Sequence, residues 1–410
     1  MKMFSILELI ALYIVITTLL AITTKGREIR IKGKRISFTI GGVLLFLGKE
    51  SKPKKVKPLN KVLSYSMMLT AIIGIVLFYI VFLPMLLKFI SNFLLFSIGA
   101  RETAPRPPIV PAPLLFQYQS IILYVLVAIG IGIIVHELAH ALVALREGIP
   151  LKSWGIGLVF LFPIAFVEVD EDSYRNASYK TKAKIVSAGI FANAVVTLIA
   201  LAALIGLNYM LTVLNAQSVV MITGLSCDVC DYNYGYSCPA EIYGLKPGDL
   251  IISINGTRLH SIQDLANIIR NATVNSTLIL HVCEPQSTCR DINMVLSSYR
   301  VRDNKTIPCI GIHIADTLAI IRGNTIYRSF IIDMIQQISI YMQYILIVNF
   351  SLYVLNSIPL LITDGTKLIE ALGERIRLIE RLSKMRIFDI LNLIVIGTAI
   401  IFATYVLLSG

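Results

Sequence analysis

His136-Glu137-Leu138-Ala139-His140 sets two imidazoles four residues apart with a carboxylate beside the first. On an α-helix that spacing turns through about 400°, so both rings leave one face about 40° off register. Two nitrogens so placed can reach a single Zn²⁺ at roughly 2.0–2.1 Å. Glu137 points to the side, poorly placed as a third ligand but able to act as general base toward a water on the metal. The plainer alternative is a pair of packed core histidines. The surroundings disfavour it: Val125–Val135 is wholly apolar or glycine, so the motif closes an apolar helix. Ionisable groups in such a helix are costly and mark function.

A catalytic zinc takes a third protein ligand and keeps one position open. The remaining histidines, His260, His281 and His313, fall in a segment of soluble composition. A carboxylate at the cytoplasmic end of another helix is the better candidate, and Asp364 qualifies. In Asn356-Ser-Ile-Pro359-Leu-Leu-Ile-Thr-Asp364-Gly365 the proline is expected to end a membrane helix and free backbone groups toward a polar cavity. An ordinary Asp-Gly turn at a helix end would account for the same residues.

The elements that must position these groups are membrane helices. Of 410 residues, 56% are hydrophobic and 15% charged, with a mean hydropathy of +0.76; soluble domains carry roughly 25% charged residues. That balance excludes a soluble globular enzyme, a disordered chain and a collagen-like chain. The expected architecture is a polytopic α-helical membrane protein of about six transmembrane helices, each about 20 apolar residues. They are placed at Phe4–Ile22, Val62–Leu83, Leu115–Leu145, Ile185–Leu211, Phe330–Ser357 and Ile390–Leu408. Pro84 is expected to break the apolar run Val62–Phe96, leaving its second part along the outer surface. Arg101–Pro113, rich in proline, reads as an outside linker. Ile36–Leu47 reads as strand-like or interfacial, and Pro150–Asp172 as a strand pair or re-entrant element.

The net charge of +12 reports orientation. Of 37 Lys and Arg residues, 12 lie in Lys25–Lys61, 6 in Arg146–Lys184 and 6 in Lys367–Arg386, all beside apolar spans. Basic residues so placed mark cytoplasmic loops, not a nucleic-acid surface. Both termini then lie outside, and so does the polar stretch Ala216–Thr317. All six cysteines (Cys227, Cys230, Cys238, Cys283, Cys289, Cys309) fall within it, as do the sequons at Asn255, Asn271, Asn275 and Asn304. Disulfides are favoured there over a zinc site at Cys227-x-x-Cys230. Six cysteines allow about 15 pairings, and the sequence does not choose among them.

H-E-x-x-H in one membrane helix with N-x-x-P-x-x-x-x-D-G in a later one resembles the double signature of the site-2 protease family of intramembrane zinc metalloproteases. Both motifs match without substitution, over about Leu115–Leu211 and Phe330–Leu372. The resemblance implies one catalytic Zn²⁺ held by His136, His140 and Asp364, with Glu137 activating water and Asn356 positioning substrate or stabilising the oxyanion. Ala188-Gly189-Ile190-Phe191-Ala192-Asn193 resembles a further family segment that usually has proline after the glycine. Ile190 departs from it, so Asn193 receives no role.

Between the motifs, Gly244-Leu-Lys-Pro-Gly248-Asp249, a short strand Leu250–Asn255, an Asn255-Gly256 turn and an amphipathic Ser261–Arg270 capped by Ser261 look like an inserted PDZ domain. Such a domain takes an extended peptide as an added strand. Ser226–Pro239 is a Cys-rich departure from that pattern.

The expected organisation is therefore as follows. Residues 1–114 form N-terminal helices with a basic cytoplasmic loop. Residues 115–211 and 330–372 form the two parts of the catalytic membrane core. Residues 216–317 form an extracytoplasmic, β-rich PDZ-like domain, and residues 373–410 a C-terminal loop and helix. The expected activity is hydrolysis of a peptide bond in or near a transmembrane helix of a membrane-anchored substrate already trimmed outside. Lipid surrounds the site, a peptide is a possible ligand of the PDZ-like domain, and no nucleic acid is involved. Two rivals are a non-proteolytic PDZ-bearing adaptor with a structural metal and a zinc or proton transporter. Intact motifs oppose the first, and the lack of internal repeats the second.

Overall fold

The computed structural model describes residues 6–25, 27, 29–31, 34–48, 51, 59–101, 103–108, 119–160, 162–227, 230, 238–284, 289–300, 306–322, 325–327, 329–360, 363–376, 379 and 386–409. Five helical runs among them are long and apolar enough to cross a membrane: Lys61–Ser97, Ile121–Arg146, Tyr179–Val213, Phe330–Ser357 and Ile387–Leu408. They coincide with five of the six expected spans. The sixth corresponds to α1 (Ile6–Thr24).

The expected break at Pro84 does not occur. Helix α2 (Lys61–Leu77) continues through a π-helical turn, Phe78–Phe82, into α3 (Leu83–Ser97). A proline inside a helix lacks a donor and crowds the preceding turn. Widening that turn, with the Leu83 N–H on the Phe78 carbonyl, accommodates it without ending the helix. Much of the expected outside linker, from 109 to 113, lies outside the described residues.

The chain divides into two compact units, Met1–Ala202 with Tyr341–Gly410, and Ala203–Ile340. The first contains a five-stranded antiparallel sheet in the order β1 (Ile29–Ile31), β2 (Lys34–Thr39), β3 (Gly42–Gly48), β4 (Leu151–Val159), β5 (Phe162–Val169). The two segments read separately as strand-like thus join in one sheet, through β3–β4 pairing from Gly42↔Val159 to Gly48↔Trp154. Tyr13 on α1 donates to the Leu158 carbonyl at 2.7 Å, fastening α1 to β4. At the other end of the strand order, β5 packs along α4 (Gln119–Arg146).

The first half of helix α6 (Tyr179–Val213) is the enclosed part. Ala183, Ile185, Val186, Ala188, Gly189, Ile190 and Asn193 are all buried, as expected of a helix enclosed on most sides. Small residues let neighbours close in: a methyl added at Gly132 of α4 would meet Asn349 Oδ1 at 2.8 Å on α9 (Phe330–Ser357). After α9 the chain turns at Pro359 and re-enters a helix at α10 (Asp364–Gly373), as the proline requires. The last helix is α11 (Ile387–Ser409), on which Phe402 stacks against Phe93 of α3 at 4.1 Å.

The second unit holds a seven-stranded antiparallel sheet. Its order is β10 (Cys289–Val295), β9 (Thr277–Cys283), β7 (Leu250–Ile254), β6 (Ala216–Leu225), β13 (Ile312–Arg322), β14 (Thr325–Tyr327), with β8 (Thr257–Arg258) on β7. Strands β11 (Ser297–Arg300) and β12 (Thr306–Cys309) pair separately. Helix α8 (Ile262–Asn271) starts on the expected cap, Ser261 accepting from the Asp264 N–H, and buries Leu265 on the sheet. Asn255 and Gly256, both at positive φ, make the hairpin turn. The cysteines pair as Cys227–Cys238, Cys230–Cys309 and Cys283–Cys289. Within the Cys-rich stretch, 228–229 and 231–237 lie outside the described residues.

Candidate functional site

His136 and His140 stand on α4 and Asp364 opens α10, 224 residues beyond His140 in sequence. The fold brings all three together. The two Nε2 atoms are 3.1 Å apart, and Asp364 Oδ2 lies 3.0 Å from His136 Nε2 and 2.9 Å from His140 Nε2. Three ligand-competent atoms that converge this closely could hold a metal ion. A carboxylate oxygen so placed is a ligand-competent donor for a cation. Glu137, half-buried, lies in the field of all three.

Helix α6 contributes no ligand, yet it builds the other wall. The His140 Nδ1–H donates to the Ile185 carbonyl at 2.7 Å, which leaves Nε2 with its lone pair toward the cluster. His136 Nδ1 lies 3.1 Å from the Asn193 amide. An imidazole that offers Nε2 to a cation carries its proton on Nδ1 and needs an acceptor there. The atom facing the ring is Nδ2, and Asn193 Oδ1 is buried without a partner; turning the amide about its last bond sets Oδ1 against the ring N–H. Between these two contacts sits Gly189. A methyl added there would lie 2.6 Å from His136 Nε2 and closer still to His140 Nε2. Space beside the donor atoms is thus kept by the absence of a side chain. The donor set, the outer acceptors and that space all fit a zinc ion.

Asn193 is the residue that the sequence reading passed over. Its signal is an amide in an apolar helix, four residues after a glycine and eight after the His140 partner. We expect Asn193→Ala to weaken zinc binding about 10- to 100-fold. Asn193→Asp, which keeps an acceptor oxygen, should retain most of the affinity; competitive metal titration of the purified variants checks both.

Ion pairs staple the ends of α4 and α10 to α6. Lys184 Nζ meets both Glu147 oxygens at 2.9 and 3.0 Å just past α4, and Lys182 Nζ meets Glu374 at 2.6 Å just past α10. Asn356, by contrast, is half-buried on the last turn of α9, and its side chain has no hydrogen-bond partner among the described residues. An apolar cavity of about 370 Å³ lies between α4 and the β4–β5 hairpin, lined by Leu138, Leu142, Trp154 and Phe166, with Glu137 at its wall.

The sequence model of Peptidase family M50 matches residues 124–402, more than half of the chain. A membrane-bound transcription factor site-2 protease homolog of Arabidopsis thaliana is 33% identical over 141 residues, covering 34% of this chain and 25% of its own. A candidate zinc metalloprotease of Nostoc sp. (strain PCC 7120), all3971, is 28% identical over 186 residues, 37% of this chain and 48% of its own. The chain thus spans between a quarter and a half of the length of these relatives. Among solved structures, the PDZ domain of the SdrC-like protein from Listeria monocytogenes is similar. It shares 22% identity and covers 23% of this chain and 86% of that one, at a TM-score of 0.19.

Proposed function

The chain belongs to peptidase family M50, the site-2 protease family, and from that premise we propose that it is an intramembrane zinc metalloendopeptidase. The observation that carries the reading is the meeting of His136, His140 and Asp364, from two distant elements, around the gap at Gly189 and beside Glu137. Zinc held by those three side chains would supply a Lewis acid for the scissile carbonyl and would acidify a water. Glu137 takes the proton of the attacking water and returns it to the departing amine. Asn356 orients the substrate or donates to the carbonyl oxygen as charge develops on it.

The substrate is a membrane-anchored protein. A helix hides its carbonyls in its own hydrogen bonds, so a segment of substrate must unwind before attack. Unwound backbone needs partners at membrane depth. Strand β5 ends the strand order beside α4 and offers an edge to such a segment. The adjoining apolar cavity takes a bulky side chain. The second unit is read as a PDZ-like domain. Between α8 and the β12–β13 segment it carries a groove of about 310 Å³ with Arg270 on its rim, able to take an extended peptide.

Charge and cysteines support one orientation. Lys182, Lys184 and Arg146 gather at the end of α4 and α6 that carries the ligands, which argues for a cytoplasmic-side active site. Three disulfides in the strand-rich unit argue that it lies outside.

The test compares membrane-protein fragments from cells expressing the unaltered chain with those from cells expressing Glu137→Gln, each with and without a zinc chelator. We expect fragments ending in or near a transmembrane segment only in the first, and their loss on chelation. Identical fragment sets would overturn the proposal and leave the adaptor.

A further inference from the structure

The proposed zinc site hangs on a loop. Asp364 follows the Pro359 turn, where helix hydrogen bonding has stopped, and a ligand on loose backbone would not hold its place. Part of the bracing is local: Thr363 Oγ1 donates to the Ile358 carbonyl at 2.5 Å and accepts from the Leu360 N–H at 3.2 Å. The rest comes from elsewhere. Asn392 on α11 donates through Nδ2 to the Pro359 carbonyl at 3.1 Å and to the Tyr79 hydroxyl at 2.9 Å. Asp389, one turn earlier on α11, accepts from Thr366 Oγ1 at 3.2 Å, two residues past the ligand.

These groups are buried, Asp389 at 5% and Asn392 at 3% exposure, in an otherwise apolar helix where a carboxylate and an amide are costly. The reaction outlined above uses none of them. Tyr79 projects from the π-helical turn at Phe78–Phe82, a device that re-aims side chains and recurs at functional sites. The same helix closes on the end of α9: Tyr353 donates to the Thr70 carbonyl at 3.0 Å, and a methyl at Gly74 would collide with Ser357.

We propose that α11 and the π-turn form a clamp that holds Pro359 and the start of α10, and with it Asp364, in coordinating position, with Asn392, Asp389 and Tyr79 as positioning residues. The clamp gives the last helix a task that its apolar sequence does not announce. The inference rests on the zinc-site reading, because the loop matters only if Asp364 is a ligand.

The test uses the full-length protein in detergent or lipid discs, with Co²⁺ as a spectroscopic probe and Zn²⁺ in competition. Asn392→Ala and Asp389→Ala should each weaken metal binding about tenfold or more and alter the visible Co²⁺ bands. Asp389→Asn, which keeps an oxygen for Thr366, should restore affinity and spectrum. Thr366→Val, a milder change in the event that the alanine variants fold poorly, should cost between about twofold and tenfold, the span of one net hydrogen bond. Phe402→Ala serves as the control for packing alone: it loosens α11 against α3 and should lower the unfolding temperature while leaving affinity and spectrum unchanged. If folded Asn392→Ala and Thr366→Val bind Co²⁺ as tightly as the parent, with the same bands, the clamp is wrong and the zinc site stands. If the parent itself binds no Co²⁺, or His136→Ala binds it equally well, both fall.

Discussion

Glu137→Gln protein is expected to keep its metal and lose cleavage by about 10²- to 10⁴-fold, the range over which positioned proton transfer contributes. Glutamine matches glutamate in size and remains half-buried where Glu137 is, but its amide cannot take a proton from water. Nothing in the cluster depends on Glu137 for assembly, since the ligand atoms come from His136, His140 and Asp364. Changing those residues should do something different. His136→Ala or Asp364→Ala removes one of three donors, so metal content and cleavage should fall together. Metal analysis of each purified variant beside a transmembrane-substrate assay separates the two classes. Full cleavage by Glu137→Gln would remove the proposed base. Full metal retention by Asp364→Ala would remove the third ligand.

Gly189→Ala should strip the site of metal although residue 189 donates nothing to it. The added methyl would lie 2.6 Å from His136 Nε2 and nearer to His140 Nε2, in the space between the donors. Backbone relaxation is poorly available, because residues 185–190 of α6 are buried against neighbouring elements. Alanine in a helix interior is favoured over glycine by about 1 kcal/mol, but overpacking a buried site costs about 1–3 kcal/mol, so the metal-free variant should unfold at or modestly below the temperature of metal-free parent while remaining folded. A folded protein with less than about a tenth of the parent's metal affinity would match the expectation of a filled cradle. A variant that binds zinc normally would show that the ion sits elsewhere.

The chemistry of the site was legible because it is local. The helix period alone puts His136 and His140 on one face, and an apolar run leading into them marks the face as costly and therefore purposeful. The proposed third ligand, Asp364, was legible more weakly, as one of two readings of an Asp-Gly pair after a proline. Three features were not legible locally. Pro84 reads as a stop because a proline removes a donor, yet the π-turn before it absorbs the defect within one continuous helical run. Ile190 departs from the motif that would give Asn193 a role, yet the Asn193 amide lies against His136. Asp389, Asn392 and Tyr79 were visible as polar groups in apolar helices, with nothing to say that they face one another.

By itself, the order of residues determined the membrane class, the long apolar helices, the strand-rich insert with its cysteines, and which side chains are able to bind a cation. These follow from composition and from short-range periodicity, each a property of a few consecutive turns. Only the tertiary structure decided that Asp364 lies within 3.0 Å of both imidazoles, and that β3 and β4 join distant segments in one sheet. It alone decided that a glycine on a third helix holds open the gap, and how six cysteines pair. The physical reason is that contacts across more than 200 residues depend on how whole helices pack, and packing sums many small, non-directional terms that no local pattern encodes.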